Sequence, residues 1–318
     1  MCATCFETSK TLSRRGFVAG AALVAGGALT AGTTLALAEE APQADADDSA
    51  EVAAADDDAT PAPTYSVSVY DFDSVRIHAF NTQDALDDVC YIVEGADELV
   101  GIELPPMQAT LPEWQRYIAN LGKPMNNIWV DAHPSGGDYL DGVSVWGTQA
   151  AEDAIEGGST QATASGLAQT FGDAWNPNNA TIDSFAQEGP VTVGGIDFEV
   201  INSADTYDLV IPAANCVYTH MLGQTVHSIV VSLEAADATI AALQGYQQAG
   251  YVLVLPGHTM PEGQQAVADK IAYLQKLEEI AGESSTADEF KTAMLEAFPG
   301  YSGENYLEMT AGYLFPEA

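Results

Sequence analysis

Short apolar runs separated by polar turns dominate the chain from residue 65 onward, and they constrain the fold more than any other feature. Runs typical of β-strands come first, apolar residues at helical spacing follow, and the chain then repeats this succession. The strand-like runs of the first series lie at 65–70, 74–80, 88–93, 98–103, 127–130 and 143–146. Two such series predict an α/β fold whose sheet-and-helix halves pack as a four-layer αββα sandwich.

The remaining elements complete this pattern. The second series of strand-like runs lies at 191–193, 196–201, 208–211, 216–219 and 251–255. Helical spacing occurs at 111–121, 149–155, 235–247, 261–280 and 286–297. Residues 94–97 predict a hairpin turn between two strands of the first series. Residues 159–188 are polar and irregular, which predicts a long loop that contains Trp175.

The charge balance excludes two classes of partner. The 318 residues include 9 Lys and Arg against 46 Asp and Glu, which gives a formal net charge of -37. Such a chain cannot neutralise the phosphates of a nucleic acid, and it is not suited to dock on anionic lipid head groups. Because 47% of the residues are hydrophobic, the chain can bury a sizeable core, and disorder throughout is excluded as well.

The N-terminal segment is typical of an export signal. Arg14 and Arg15 precede a weakly apolar run at 19–37, and a small-residue cleavage site lies at 36–38. The paired arginines indicate the twin-arginine route, so residues 1–38 are predicted to be a signal that is removed after export. The mature protein is then expected outside the cytoplasm, either retained beyond the membrane or secreted. The alternative is an uncleaved transmembrane anchor.

The rest of the chain divides into a linker and one domain. Residues 39–64 are mostly Ala, Asp, Glu and Pro without periodicity, which predicts a disordered acidic linker. The folded domain is predicted to span 65–318. Within it, Cys90 and Cys216 lie in apolar, strand-like stretches, so we expect buried thiols rather than a disulfide.

Five histidines are the first candidates for chemistry. His133, His220 and His258 each stand where a predicted strand ends and a loop begins, and α/β proteins commonly gather site residues there. Imidazole and carboxylate groups are suitable ligands for a divalent metal such as zinc. His78 and His227 are expected at the surface or in local hydrogen bonds.

Four segments together resemble the metallo-β-lactamase superfamily in its broad hydrolase branch. Residues 91–103 resemble its opening hairpin, with Glu103 where the family usually has an Asp. Residues 128–137, IWVDAHPSGG, stand where the family carries its H-x-H-x-D-H loop. Residues 208–220 resemble the strand pair that ends in the bridging aspartate, and residues 252–259 the last strand with its terminal ligand. The resemblance covers nearly the whole predicted domain and implies the family's αββα fold.

Carried over position by position, the resemblance implies a rearranged set of metal ligands. That set is Asp131, His133, His220 and His258, with His220 in the place of the bridging aspartate. In the ungapped register Asp131 takes the first His place of the loop, whereas in a shifted register His133 is the first ligand and Asp138 the last. Asp205, just before the strand at 208–211, is a further candidate ligand.

The same alignment implies that the site holds at most one ion, taken to be zinc. Ser135 replaces the family's Asp and Gly136 replaces its final His, so the ligands of a second ion are missing. Asp131 is the candidate catalytic base, and Asp138 and Asp205 are the other carboxylates that could serve.

Two functions remain open from the sequence. In the first, the protein is an exported metallo-hydrolase that activates water for attack on an ester, amide, thioester or phosphoester. In the second, no metal is bound and the same fold serves as a non-catalytic ligand-binding or scaffold protein. No basic cluster accompanies the cleft residues, so the expected ligand is a neutral or cationic small molecule, and the acidity weighs against a phosphoester.

Overall fold

Two β-sheets lie face to face at the centre of the computed structural model, which describes residues 65–203 and 206–316. The predicted export signal (1–38), the predicted acidic linker (39–64) and the candidate ligand Asp205 lie outside the described residues. Among the described residues, no helix combines the length and the apolar character that a membrane crossing requires.

The first sheet has seven strands in simple chain order. Its strands are β1 Ser66–Asp71, β2 Arg76–Asn81, β3 Val89–Glu94, β4 Leu99–Ile102, β5 Met125–Trp129, β6 Ser144–Gly147 and β7 Ser184–Phe185. Strands β1 to β4 pair antiparallel, and β4 to β7 pair parallel. The end of β4 therefore lies beside both the start of β3 and the end of β5, which brings three loops to one edge.

The second sheet has five strands in the order β12, β11, β10, β9, β8. Its strands are β8 Gly189–Val193, β9 Ile196–Asn202, β10 Tyr207–Ile211, β11 Cys216–Thr219 and β12 Leu253–Pro256. Only the β11–β12 pair is parallel, with Thr219 opposite Pro256. The residues that follow these two strands therefore leave the sheet at the same edge.

Seven α-helices cover the outer faces of the sheets in the described part of the chain. They are α1 Leu111–Leu121, α2 Gln149–Gly157, α3 Ser159–Phe171, α4 Leu233–Ala249, α5 Gln264–Glu283, α6 Ala287–Ala297 and α7 Glu304–Leu314. The first two contribute Leu111, Trp114 and Ile155 to the core of the first sheet. Helices α4 to α7 pack together against the second sheet.

Strand β10 shows how the two cores are separated. Leu209 and Ile211 point into the space between the sheets, whereas Val210 points into the core that the second sheet forms with its helices. This alternation is what a strand covered on both faces requires. The predicted four-layer αββα sandwich is confirmed. Cys90 and Cys216 are both buried and free, as predicted.

The prediction of a loop over 159–188 was wrong in its first part. Residues 159–171 form helix α3, whose Ala164, Leu167, Ala168 and Phe171 contact a small cluster that includes Trp175. The helical spacing was present, but Ser, Thr, Gln and Gly between these residues made it weak. Trp175 is buried at 5% exposure because it fills this cluster.

Helix α7 and the placement of two histidines were also missed. Leu307 and Ala311 of α7 pack into the helical core of the second sheet. His78 and His227 are buried rather than at the surface. His78 contacts Tyr117 and Glu94, and His227 contacts Tyr273, so their partners are distant in the sequence.

Candidate metal centre

Two parallel strands of the second sheet deliver two histidines to one edge. His220 follows β11 and His258 follows β12 after Gly257. The backbone N–H of Gly257 donates to the carbonyl oxygen of His220 at 2.9 Å, which continues the pairing one residue beyond the strands. This extension fixes the two histidines relative to each other.

Gly257 is also needed for space. A Cβ atom at this position would lie 2.9 Å from Nδ1 of His220, closer than real Cβ contacts. Any side chain at position 257 would therefore displace the His220 ring. The local sequence Pro256-Gly257-His258 thus allows both imidazoles to occupy the same edge.

The third histidine comes from the first sheet, in a loop held by a buried carboxylate. His133 lies four residues beyond the end of β5. The carboxylate of Glu103 accepts hydrogen bonds from the backbone N–H groups of Asp131 (3.0 Å), Ala132 (3.1 Å) and His133 (2.8 Å). It also accepts the hydroxyl of Tyr218, from the second sheet, at 3.1 Å. Glu103 therefore fixes the His133 loop and joins the two sheets beneath it.

The three imidazole rings form a nearly equilateral triangle. The centroid of the His133 ring lies 4.8 Å from that of His220 and 4.9 Å from that of His258, and the last two are 4.8 Å apart. The ring planes cross at 68° to 78°, so the rings are not stacked. One ring nitrogen of each residue lies within 4.8 Å of the other two. The triangle therefore brings three nitrogen atoms close enough together to be candidates for ligating one ion.

Burial favours the metal-binding form of His133 and His220. Burial lowers the pKa of His133, and it lowers the pKa of His220 well below the usual value for histidine. The neighbouring histidines act in the same direction, because adjacent imidazolium charges would repel. His133 and His220 are therefore neutral near pH 7, and neutral imidazole is the species that ligates metals.

One pair of ring nitrogen atoms has the spacing of a tetrahedral ion, and all three nitrogen atoms lie within 4.8 Å of one another. Nε2 of His220 lies 3.3 Å from Nε2 of His258. Zinc holds imidazole nitrogens at about 2.0–2.1 Å, and a tetrahedral arrangement then separates two ligand atoms by about 3.3–3.4 Å. Three neutral imidazoles are also a donor set that suits zinc, whereas magnesium and calcium prefer oxygen atoms.

Asp88 is a site residue that the sequence reasoning missed. It is fully buried, and its Oδ1 lies 2.8 Å from Nδ1 of His258 and 3.8 Å from Nε2 of His133. Burial acts to raise the pKa of Asp88, but the adjacent His133 and His258, whose protonated forms attract the carboxylate, lower it overall. A carboxylate that holds the proton on Nδ1 of His258 leaves Nε2 to face His220 and a metal.

A signal for Asp88 was present in the predicted hairpin. Asp88 directly precedes β3, which pairs antiparallel with β4. Asp88 therefore lies at the edge of the sheet where Glu103 follows β4. The backbone N–H of Val89 donates to the carbonyl oxygen of Gly257 at 2.8 Å and ties this edge to the His258 loop. The sequence shows the first relation, but the second is a tertiary contact between distant segments.

The structure does not bring the predicted carboxylate ligands to the histidines. Asp131 is buried, its Oδ2 accepts the backbone N–H of Tyr207 at 3.3 Å, and it is not part of the histidine cluster. Burial and the nearby charge of Glu103 raise its pKa well above the usual range, which disfavours the charged form that would ligate a metal. Oδ1 of Asp138 accepts from Asn176 at 2.8 Å, and Asp138 also lies outside the cluster.

The positions that would hold a second ion have other roles. The buried Ser135 hydroxyl donates to Oδ1 of Asn179 at 3.4 Å. Gly136 has a positive φ of 108°, and a Cβ there would lie 2.8 Å from Leu111. A histidine at position 136 would therefore have neither the backbone conformation nor the space in this loop.

A cavity of about 430 Å³ opens in front of the histidines. His220 and His258 form part of its wall. The other walls come from residues 83–87, from the loop after β11 and from the start of α7. This volume lies within the range typical of small-molecule sites.

Comparison with solved structures shows the fold alone. The DIM-1 metallo-β-lactamase gives a TM-score of 0.44 and 11% identity, over 66% of this chain and 97% of that one. A metallo-β-lactamase from Pontibacter korlensis gives a TM-score of 0.44 and 18% identity, over 66% of this chain and 99% of that one. A double mutant of the sec-alkyl sulfatase PisA1 gives a TM-score of 0.54 and 14% identity, over 78% of this chain and 50% of that one. These likenesses concern the fold, and the two sheets covered by helices form the four-layer αββα arrangement that the resemblance to the metallo-β-lactamase superfamily implied. No protein-family model and no curated protein matches it.

Replacing Glu103 tests how far the loop depends on its carboxylate. In Glu103→Gln one oxygen can still accept hydrogen bonds, but the amide nitrogen must face a backbone N–H. We therefore expect the free energy of unfolding to fall by about 2–4 kcal/mol. Tyr218→Phe removes only one neutral donor and should cost about 1 kcal/mol. Urea unfolding followed by circular dichroism measures both. A cost for Glu103→Gln no larger than that for Tyr218→Phe would contradict this role.

Proposed function

We propose that the protein is an exported hydrolase of the metallo-β-lactamase fold that uses one metal ion, held by His133, His220 and His258. The observation that carries the proposal is the triangle of one buried and two half-buried histidine rings, with one nitrogen atom of each within 4.8 Å of the others and two of the rings in the wall of a cavity. Three histidines and one open position are a donor set found in catalytic zinc sites. When bound, zinc supplies Lewis acidity and lowers the pKa of water towards neutrality.

The residues of the chain have distinct roles in this proposal. The three imidazoles hold the ion, and the lowered pKa values of His133 and His220 favour their neutral, metal-binding form. Asp88 holds the proton on Nδ1 of His258 and so keeps that ring in one tautomer. Glu103 keeps the His133 loop in place through the three backbone N–H groups. The cavity holds the substrate against the triangle.

The number and identity of the ion are part of the proposal. Ser135 and Gly136 provide neither a carboxylate nor an imidazole for a second ion. Nitrogen donors favour zinc over the hard cations. We therefore propose a single zinc ion. The bond that is cleaved belongs to the ester, amide or thioester class rather than to a phosphoester, because the cavity is lined by acidic and not by basic residues.

Metal analysis of variants tests the proposal. The purified protein should retain about one zinc per chain, and His133→Ala and His258→Ala should lose it, because two imidazoles no longer complete the site. Asp88→Asn should weaken zinc binding by about 10–100-fold, as loss of an outer carboxylate commonly does. Asp138→Asn is the matched control and should bind zinc like the parent, because Asp138 lies outside the cluster. The measurement is mass-spectrometric metal content after dialysis against a chelator of graded concentration.

Two results would contradict a metal site formed by His133, His220 and His258. Equal, near-zero metal in the parent and in all variants would leave a metal-free ligand-binding protein on the same fold. Equal, stoichiometric metal in the parent and in the histidine variants would place the ion elsewhere.

Export is the second part of the proposal, and it rests on the sequence of residues 1–38. The twin-arginine pair, the apolar run and the small-residue site support it. The double variant Arg14→Lys/Arg15→Lys should accumulate in the cytoplasm with an uncut N-terminus, whereas the parent should be recovered outside it without residues 1–38. Cell fractionation with N-terminal mass mapping measures this. The same location and the same N-terminus for both proteins would reject the twin-arginine route.

A further inference from the structure

We propose that the substrate of this site is a small cation with an apolar portion, whose positive group lies against Asp84 and Asp87. This inference rests on the proposed function, because it names the substrate class of the proposed hydrolase. Its basis is independent of the metal, because it comes from the charges, the backbone and the apolar surface of the cavity wall.

The wall carries negative charge and no positive charge. Asp84 and Asp87 line the cavity, and no Lys or Arg among the described residues does so. Asp88 follows Asp87 in the chain, is fully buried and contacts His258 of the wall, and its Oδ2 has no hydrogen-bond partner within the described residues. Even beside the proposed zinc ion, whose two positive charges these three carboxylates outnumber, an anionic substrate would find no Lys or Arg of the described chain in the wall to pair with. A cation would instead be attracted by the carboxylates.

The basic residues of the described chain are occupied elsewhere. The described residues include six Lys and Arg side chains. Five of the six pair with carboxylates away from the cavity: Arg76 with Asp71 and Glu94, Arg116 with Glu113, Lys123 with Glu94, Lys276 with Glu279, and Lys291 with Glu308. The sixth, Lys270, lies behind the wall, where its Nζ donates to the carbonyl oxygen of Val226 at 2.7 Å. Burial lowers the pKa of Lys270 to about 7, so much of its charge is lost near neutral pH.

The loop that carries the two carboxylates is held in a fixed shape. The backbone N–H of Thr82 donates to the carbonyl oxygen of Asp88 at 2.9 Å and closes the loop. Oδ1 of Asp84 accepts the backbone N–H of Leu86 at 3.0 Å. Gln83 and Asp87 both have positive φ, 52° and 54°, although neither is glycine. Such conformations cost energy and persist where the surroundings impose them, commonly at binding sites.

Burial makes Asp84 responsive to a positive partner. Burial and the charge of Asp88 raise the pKa of Asp84 to about 6. A carboxylate that is disfavoured by its own surroundings gains more from an incoming cation than a solvated carboxylate does. The position of Asp84 in the cavity wall allows this contact.

The rest of the wall selects an apolar portion. Leu86, Met221, Leu222 and Val226 line the cavity beside the carboxylates, and Pro256 lies next to the histidines. An aliphatic or aromatic group of the substrate would bury its surface there. A positive group at one end and an apolar chain therefore match the two kinds of wall.

Three matched probes that do not ligate zinc test the charge preference. They are hexyltrimethylammonium, hexan-1-ol and hexanesulfonate, titrated by ligand-observed NMR into the purified, zinc-loaded protein. We expect the cation to bind about tenfold tighter than the other two, and only its affinity should fall as salt is raised.

Charge-neutral variants locate the preference. Asp84→Asn/Asp87→Asn keeps the acceptor for Leu86 and a residue that tolerates positive φ, and it should reduce the advantage of the cation about five- to tenfold. Asp97→Asn/Asp141→Asn removes the same charge outside the cavity and should leave the advantage unchanged.

The proposal is overturned if hexyltrimethylammonium binds no tighter than the other probes. It is also overturned if its advantage is salt-independent, or if the cavity and control variants retain it equally. If the double cavity variant does not fold, the salt dependence in the parent protein decides. If the protein does not retain zinc, the proposed hydrolase activity is rejected. The ratios of the probe affinities still test the charge preference of the cavity in that case.

Discussion

The carboxylate of Glu103 is the interaction on which the candidate site depends. It is fully buried, and a buried carboxylate is stable only when its oxygens are hydrogen-bonded. Three consecutive backbone N–H groups of the His133 loop and the Tyr218 hydroxyl of the opposite sheet provide those bonds. The loop cannot move without leaving the carboxylate unpaired, so His133 is fixed relative to both sheets. The positive φ of Glu103 itself, 64°, directs the chain away from β4 and into this position.

The other two histidines depend on a backbone arrangement rather than on a charge. The parallel pair β11–β12 ends with His220 and His258 beside each other, and Gly257 leaves room for the His220 ring. The bond from Val89 to Gly257 then places Asp88 against His258. The first sheet therefore supplies His133, Glu103 and Asp88, and the second supplies the remaining two histidines. The triangle exists only when the two sheets are packed together, which couples the integrity of the site to the core between them.

The sequence predicted the features that follow from local patterns. Alternating and helical spacings gave the layers, and the position of His133, His220 and His258 at strand ends gave the edge where they meet. Asp131 has the same local signal, but its backbone N–H donates to Glu103 and its carboxyl group accepts the backbone N–H of Tyr207 instead of facing the histidines. Asp88 was hidden because its role depends on a contact with the distant Gly257 loop. Helix α3 was not predicted because small and polar residues are interspersed among its few apolar residues. Its apolar face is recognisable only from its contact with Trp175.

Zinc K-edge X-ray absorption on the purified protein, loaded with one equivalent of zinc, examines the triangle most directly. We expect a spectrum with three imidazole ligands at about 2.0–2.1 Å, one lighter oxygen or nitrogen donor, and no second metal atom nearby. Loss of one imidazole in His220→Ala should accompany a marked drop in affinity. A coordination sphere of oxygen atoms without imidazole, or a neighbouring metal atom, would contradict a single ion held by His133, His220 and His258.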